Sequence, residues 1–261
     1  MTRCGSNRAA VPHEACVTFL VAGVQKGGTT ALFDYLREHP QLCLPAAKEL
    51  HFFDDEERVD WSAPDYEAYH APFSAERPAA GAVWGEATPI YIYWPWALER
   101  IRAYNPAMKL IVVLRDPVER AWSHWKMERA RGAESEPFAY CIREGRARVS
   151  GAADGSGAHR VHSYVERGFY GAQIERLFSL FPREQVLLTR SGDLRGDTAR
   201  ILGNACDFLQ IPPFETVVPR ESHVGGRDDP SQIPTAADRT YLSQLYADDQ
   251  QRLHFLTGIC F

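Results

Sequence analysis

The stretch CVTFLVAGVQKGGTTALFDYLREHP, residues 16–40, decides the fold. Its opening, Cys16–Gly23, is a short and nearly continuous apolar run, as a strand buried on both faces of a parallel sheet requires. Glycines and threonines follow. Thr30–His39 then sets apolar residues at helical spacing until Pro40 closes the run. Strand, glycine-rich turn and helix, in that order, open a βαβ unit.

The turn itself has the frame Gly23-x-x-x-x-Gly28-x-Thr30, which is that of a phosphate loop. Glycines let successive backbone N–H groups face an anion, and the following helix adds the positive end of its dipole. Thr29 stands where a nucleoside triphosphatase carries the lysine that reaches the β- and γ-phosphates, and the lysine lies three residues earlier, at Lys26. The displacement points to a different bound phosphate group.

Outward from this unit, MKLIVVLR (Met108–Arg115) reads as a second buried strand and QVLLTR (Gln185–Arg190) as a third. Asp116 occupies an N-cap position with Pro117 at the first helical residue and Glu119 three residues on, which predicts a helix through ERAWSHWKMERA. Further helices are predicted over Tyr170–Phe181, Thr198–Leu209 and Asp238–Leu256. Strands separated by helices predict an α/β fold, a single P-loop-type domain with a central parallel β-sheet flanked by helices. It covers residues 17–261 behind an N-terminal tail, residues 1–16. SGAADGSGAH (Ser150–His159) is small, polar and glycine-rich, and reads as a mobile loop: a solvated surface turn or, with Arg143, Arg146, Arg148, Arg160 and Arg167 flanking it, a lid over an acceptor site.

Two more constellations carry chemistry. Arg115 ends a strand and Ser123 follows about two helical turns later, so both can reach the carboxyl edge of the sheet, where open α/β folds bind ligands. Arginine offers a planar fork to a phosphate and serine a short donor. In KELHFFDDE (Lys48–Glu56), Glu49 and His51 are candidate bases. In an extended chain they would share one face, with Lys48 lining the same pocket.

Taken together, FLVAGVQKGGTTALFDYLREHP, KELHFFDDE and LRDPVERAWSHW (Leu114–Trp125) resemble the PAPS-dependent sulfotransferases. The resemblance is to the branch of the heparan sulfate glucosaminyl 3-O- and N-sulfotransferases and their bacterial relatives. It implies that Lys26, Gly27, Gly28, Thr29 and Thr30 contact the 5′-phosphosulfate of 3′-phosphoadenylyl sulfate (PAPS), and that Lys26 stabilises the bridging oxygen as sulfate leaves. It implies Arg115 and Ser123 as ligands of the 3′-phosphate and Glu49 as general base, with His51 as a second candidate. GEATPIYIY (Gly85–Tyr93) resembles a further family segment, which marks Glu86 and Thr88 as substrate-site residues. At Ala87 the eukaryotic 3-O-sulfotransferases carry an active-site lysine, and this departure argues against a heparan-type acceptor. RGFYGAQIERLF (Arg167–Phe178) resembles the segment whose tyrosine, here Tyr170, lies near the cofactor. ESHVGGRDDP (Glu221–Pro230) resembles the late loop that closes on the 3′-phosphate, with Arg227 as its cation. The implied reaction is in-line sulfuryl transfer to a hydroxyl, or second to an amine, of a small-molecule, glycoside or carbohydrate acceptor. The product is adenosine 3′,5′-bisphosphate.

Composition sets the outer limits. Of 261 residues, 45% are hydrophobic and 24% charged, which suits a globular core. A net charge of −5 argues against a nucleic-acid partner. The six cysteines are dispersed, without C-x-x-C or zinc spacing, and suggest a reducing compartment. No apolar run reaches the roughly 18 residues of a membrane span. A cytoplasmic enzyme without metal or membrane partner is the expectation. Two alternatives stand beside it: a P-loop kinase or other NTP-using enzyme, and a non-catalytic nucleotide-binding protein on the same fold.

Overall fold

The computed structural model of the chain describes residues 17–73, 81–218 and 233–261. All five residues of β1 (Phe19–Gly23) are buried. The two-residue period of a strand sends them to opposite sides. Leu20 and Ala22 join Leu110, Val112 and Leu114 in one core, whereas Phe19 and Val21 join Ile111 and Val113 in the other. A strand with a core on each face must lie inside a sheet. It does, in the order β2-β3-β1-β4-β5, with β2 (Leu42–Cys43), β3 (Val83–Ala87), β4 (Lys109–Leu114) and β5 (Val186–Arg190) all parallel to their neighbours.

The helices are α1 (Thr29–Leu36), α2 (Tyr66–His70), α3 (Ala97–Tyr104), α4 (Pro117–Ala130), α5 (Phe138–Cys141) and α6 (Ala147–Ser150). They continue with α7 (Gly157–Val161), α8 (Tyr170–Leu180), α9 (Ser191–Gly196), α10 (Thr198–Leu209) and α11 (Ala236–Thr257). Leu98 and Ile101 of α3 and Ile174 and Leu177 of α8 close the first core. Leu32 and Leu36 of α1 and Ile201, Leu202 and Leu209 of α10 close the second. Helix layers on both faces of a parallel sheet are the α/β architecture expected from the sequence. Among the described residues, no helix is long and apolar enough to cross a membrane.

The start of α4 follows its sequence signal. The Asp116 side chain accepts from the Glu119 amide at 2.9 Å, and Pro117 fills the first turn. The start of α8 is supplied from elsewhere. No side chain of its own caps it, and the amides of Gly171 and Ala172 donate instead to the Asp249 carboxylate of α11 at 2.7 and 2.9 Å. The Ser150–His159 stretch, read as a loop, contains the first turn of α7 and packs on aromatic rings. Gly155, at φ +71°, lies so close to Trp96 that a Cβ would come within 2.6 Å of the ring.

Strands β2 and β3 were not expected. β2 has only two residues, and in β3 (VWGEA) a glycine and a glutamate break the apolar pattern. Gly85 is required there because it stands opposite Phe19 in the sheet register and the Phe19 ring fills the space over its Cα. Gly85→Ala is therefore expected to destabilise the fold by about 2 kcal/mol through overpacking. Urea denaturation of the variant measures this, and an unchanged midpoint would mean that the ring has room to move.

Candidate active site

The carboxyl ends of β1, β3 and β4 open on one edge of the sheet, and Lys26, Lys48, Glu49, His51 and Arg115 lie near one another there. The loop after β1 folds back onto β4. The Val24 amide donates to the Val113 carbonyl at 3.1 Å and the Gly27 amide to the Val24 carbonyl at 2.9 Å. A Cβ at Gly27 would run into that same Val113 oxygen, so only glycine fits. Gly28, at φ +102°, is the N-cap of α1 and brings no side-chain cap, which leaves the first amides of the helix to an anion. Thr29 is buried behind the loop and Thr30 faces outward.

Lys26 has φ +68°, a left-handed conformation that a non-glycine residue holds at a cost of about 1–3 kcal/mol. Burial lowers the pKa of its ammonium, and the charges of Arg131 and Arg115 lower it further, while Glu49 raises it. Lysine, two arginines and the glutamate therefore lie within electrostatic reach of one another. Arg115 donates to the Lys26 carbonyl at 3.3 Å, and its own carbonyl accepts from the Tyr170 hydroxyl at 2.9 Å. Tyr170 is fully buried, so it anchors the end of β4 from beneath. Ser123 is half-buried on α4, seven residues past Asp116. Arg227 lies outside the described residues.

On the other side of the site stands Glu49. It forms ion pairs with Lys48 and with His51, whose Nε2 is 3.5 Å from the Glu49 Oε2. The two side chains do meet, but not by the strand period expected. Glu49 and His51 have φ of +68° and +55°, so two left-handed turns bring their side chains together. Among the described residues, only four non-glycine positions have positive φ, and three of them are Lys26, Glu49 and His51. Backbone strain is thus concentrated at this edge.

Asp54, which sequence reasoning passed over, completes the row. It is fully buried, its Oδ2 lies 2.9 Å from His51 Nδ1, and it also accepts from the Arg160 guanidinium of α7. The charges alternate along Lys48, Glu49, His51, Asp54 and Arg160. Burial favours the neutral ring of His51, but the hydrogen bonds and charges of Asp54 and Glu49 prevail and raise its pKa to about 9. Burial likewise works against charge on Glu49, yet the His51 hydrogen bond and Lys48 outweigh it and lower the carboxyl to about 2. Near neutral pH Glu49 is a carboxylate and His51 an imidazolium. Only the first has a site free to take a proton.

Glu86 and Thr88, expected to line the acceptor site, are both fully buried. The Glu86 carboxyl accepts from the hydroxyls of Thr88 at 2.7 Å, Tyr91 at 2.8 Å and Tyr69 at 3.3 Å. Burial raises its pKa to about 6 even so. Thr88 Oγ1 in turn accepts from the His51 amide at 3.4 Å, and the Ala87 carbonyl accepts from the Glu49 amide at 3.0 Å. The end of β3 is therefore the floor on which the Glu49–His51 turn rests.

Three kinds of comparison bear on this geometry. Residues 18–232 match the family model of the sulfotransferase domain. The chain is 33% identical over 194 residues to human heparan sulfate glucosamine 3-O-sulfotransferase 3B1, an alignment that takes in 74% of this chain and 45% of that protein. It is 35% identical over 126 residues to the membrane-associated sulfotransferase kil1 of Dictyostelium discoideum, covering 47% of this chain and 26% of the relative. It thus spans about half, or less, of the curated relatives it matches. Among solved structures, the sulfotransferase from Alicyclobacillus acidocaldarius superposes with a TM-score of 0.74 at 26% identity, over 94% of this chain and 96% of that one.

The charge row has a pH signature. His51 contributes stability that is complete below its ordinary value of 6.5 and is lost as pH rises through about 9. Glu49 contributes stability that is present above its ordinary value of 4.5 and is lost as pH falls through about 2. NMR titration of the His51 ring is expected to show a midpoint near 9, moving toward 6.5 in Glu49→Gln. A wild-type midpoint at or below 6.5 would show that the imidazolium is not held by its two carboxylates.

Proposed function

The chain belongs to the sulfotransferase domain family, and on that premise we propose that it moves a sulfuryl group from PAPS to a hydroxyl of a small-molecule, glycoside or carbohydrate acceptor, with an amine as the second choice. The observation that carries this reading is the pairing of two loops. A glycine loop bearing Lys26 faces a carboxylate, Glu49, that is kept ionised beside it.

The donor set fits the cosubstrate. Gly27 lets the loop close onto β4, the first amides of α1 carry no side-chain cap, and Lys26 adds a positive charge. PAPS supplies the activated sulfuryl group. In our reading Lys26, Gly27, Gly28, Thr29 and Thr30 hold the 5′-phosphosulfate end, and Arg115 with Ser123 holds the 3′-phosphate, Tyr170 fixing the strand end that carries Arg115. Arg227, outside the described residues, joins them on the strength of its sequence motif. Lys26 offsets charge on the departing phosphate oxygen.

Glu49 takes the proton of the acceptor as the new bond to sulfur forms. A carboxyl lowered to about 2 accepts that proton only as the acceptor becomes strongly acidic, that is, late in the attack. His51 holds Glu49 charged and in place, because an imidazolium with its pKa raised to about 9 has no lone pair to offer. Glu86 and Thr88 support the turn from below and Lys48 flanks it. The human relative is named for a carbohydrate acceptor, heparan sulfate glucosamine, which supports a sugar-like acceptor here. Ala87 supports one of a different kind, since its side chain is fully buried where the eukaryotic 3-O-sulfotransferases carry a lysine.

Two measurements test the proposal. Calorimetry is expected to show adenosine 3′,5′-bisphosphate binding in clear preference to ATP with Mg²⁺; the opposite preference would favour the kinase alternative. Glu49→Gln is expected to retain that binding while sulfate transfer, followed with labelled PAPS across a panel of glycosides and phenols, falls by about 10²–10⁴-fold. Normal turnover in the variant would remove Glu49 from the reaction. Bisphosphate binding without consumption of PAPS with any acceptor would favour the non-catalytic alternative.

A further inference from the structure

Arg167 is an arginine in the interior, 2% exposed, in the turn before α8. Its Nε donates to Ser163 Oγ at 2.7 Å, and its Nη2 donates to the carbonyls of His159 and Arg160 at 2.8 and 2.9 Å. Its Nη1 donates to the side-chain oxygen of Gln25, 142 residues away in the sequence. The guanidinium also lies 5.1 Å from the centre of the Tyr93 ring. Among the described residues, no carboxylate lies within ion-pair distance of it. A buried cation without a counter-ion is costly, and an apolar side chain of similar volume would fill the space more favourably. Its presence calls for a geometric reason.

The reason lies in the partners. Gln25 immediately precedes Lys26, the left-handed residue of the phosphate loop. The Lys26 carbonyl in turn accepts from Arg115. Two successive residues of the loop are thus gripped by two arginines from different parts of the fold. The same Arg160 whose carbonyl Arg167 binds reaches with its side chain to Asp54, the partner of His51. One short segment, residues 159–167, therefore touches both the loop that carries Lys26 and the row that carries Glu49, while contributing no group with a place in the reaction.

We propose that Arg167 is a positioning residue of the phosphate loop: through Gln25 it fixes the left-handed turn at Lys26 before any ligand arrives, and through the carbonyls of residues 159 and 160 it registers that turn against the Glu49–His51–Asp54 row. The inference rests on the sulfotransferase reading only for the choice of ligand in its test. Because the loop is set in advance, the effect is read in binding, with no acceptor needed.

The experiment is a double-mutant cycle on the affinity for adenosine 3′,5′-bisphosphate, measured by calorimetry on wild type, Gln25→Leu, Arg167→Lys and the double variant, with melting temperatures alongside. Each single variant is expected to weaken binding by about 10-fold, and the double variant by no more than either single, because both break one link. Single effects that multiply in the double variant would overturn the proposal, since independent contributions, including a direct contact of Gln25 with the ligand, behave that way. So would Arg167→Lys that lowers the melting temperature yet binds normally, which is the result of a purely structural role. Should Arg167→Lys not fold, Gln25→Leu decides alone: unchanged affinity overturns the link. If wild type prefers ATP to the bisphosphate, it is the family-based ligand reading that fails, and the same cycle is then read with ATP.

Discussion

Everything reactive in this protein hangs from a strand that has no freedom left. β1 is buried on both faces and hydrogen-bonded along both edges, to β3 on one side and β4 on the other. The chain that leaves its carboxyl end has to turn within the width of two strands, and it does so by lying against the carbonyl of Val113 on β4. That approach admits only glycine at residue 27, and it sets the next turn, at Gly28, to begin α1. The β3 end, on the opposite side, carries Glu49 through the Ala87 carbonyl. The separation between the lysine side and the carboxylate side of the site is thus fixed by the spacing of neighbouring strands, about 4.8 Å per step, and not by flexible side chains.

A second theme is the handling of charge. The chain is net negative, yet Lys26, Lys48, Arg115 and Arg131 gather around one loop. Their mutual repulsion, together with burial, is visible in the lowered pKa of Lys26. Such a cluster is tolerable because Glu49 and Asp54 are interleaved with it and because an anionic ligand would relieve it. The field at the site is therefore local, and it opposes the sign of the whole molecule.

The parts of the fold that the sequence made legible are those whose signals are local. The apolar run of β1, the N-cap of α4 and the glycine spacing of the loop each lie within a few residues, and the structure places the corresponding elements close to where they were expected. β3 was illegible because its glycine answers to the ring of Phe19 and its glutamate to the hydroxyls of Tyr69, Thr88 and Tyr91, which only folding brings together. The meeting of Glu49 and His51 was anticipated, but its backbone geometry was not, since positive φ at non-glycine residues leaves no mark in composition. The links that Asp54 and Arg167 make across the site were missed for a similar reason. Asp54 reaches Arg160 and Arg167 reaches Gln25, 106 and 142 residues away in the sequence.

The cap that α11 lends to α8 reaches beyond static geometry. α8 begins with Tyr170, which secures the end of β4, and its first amides are satisfied by Asp249, 78 residues downstream. A ribosome delivers residues in order, at about 5–20 per second. For several seconds of every synthesis, the helix that anchors the Arg115 strand exists without its cap. The start of α8 is then completed only once α11 has followed, although the loop after β1 lies far earlier in the chain.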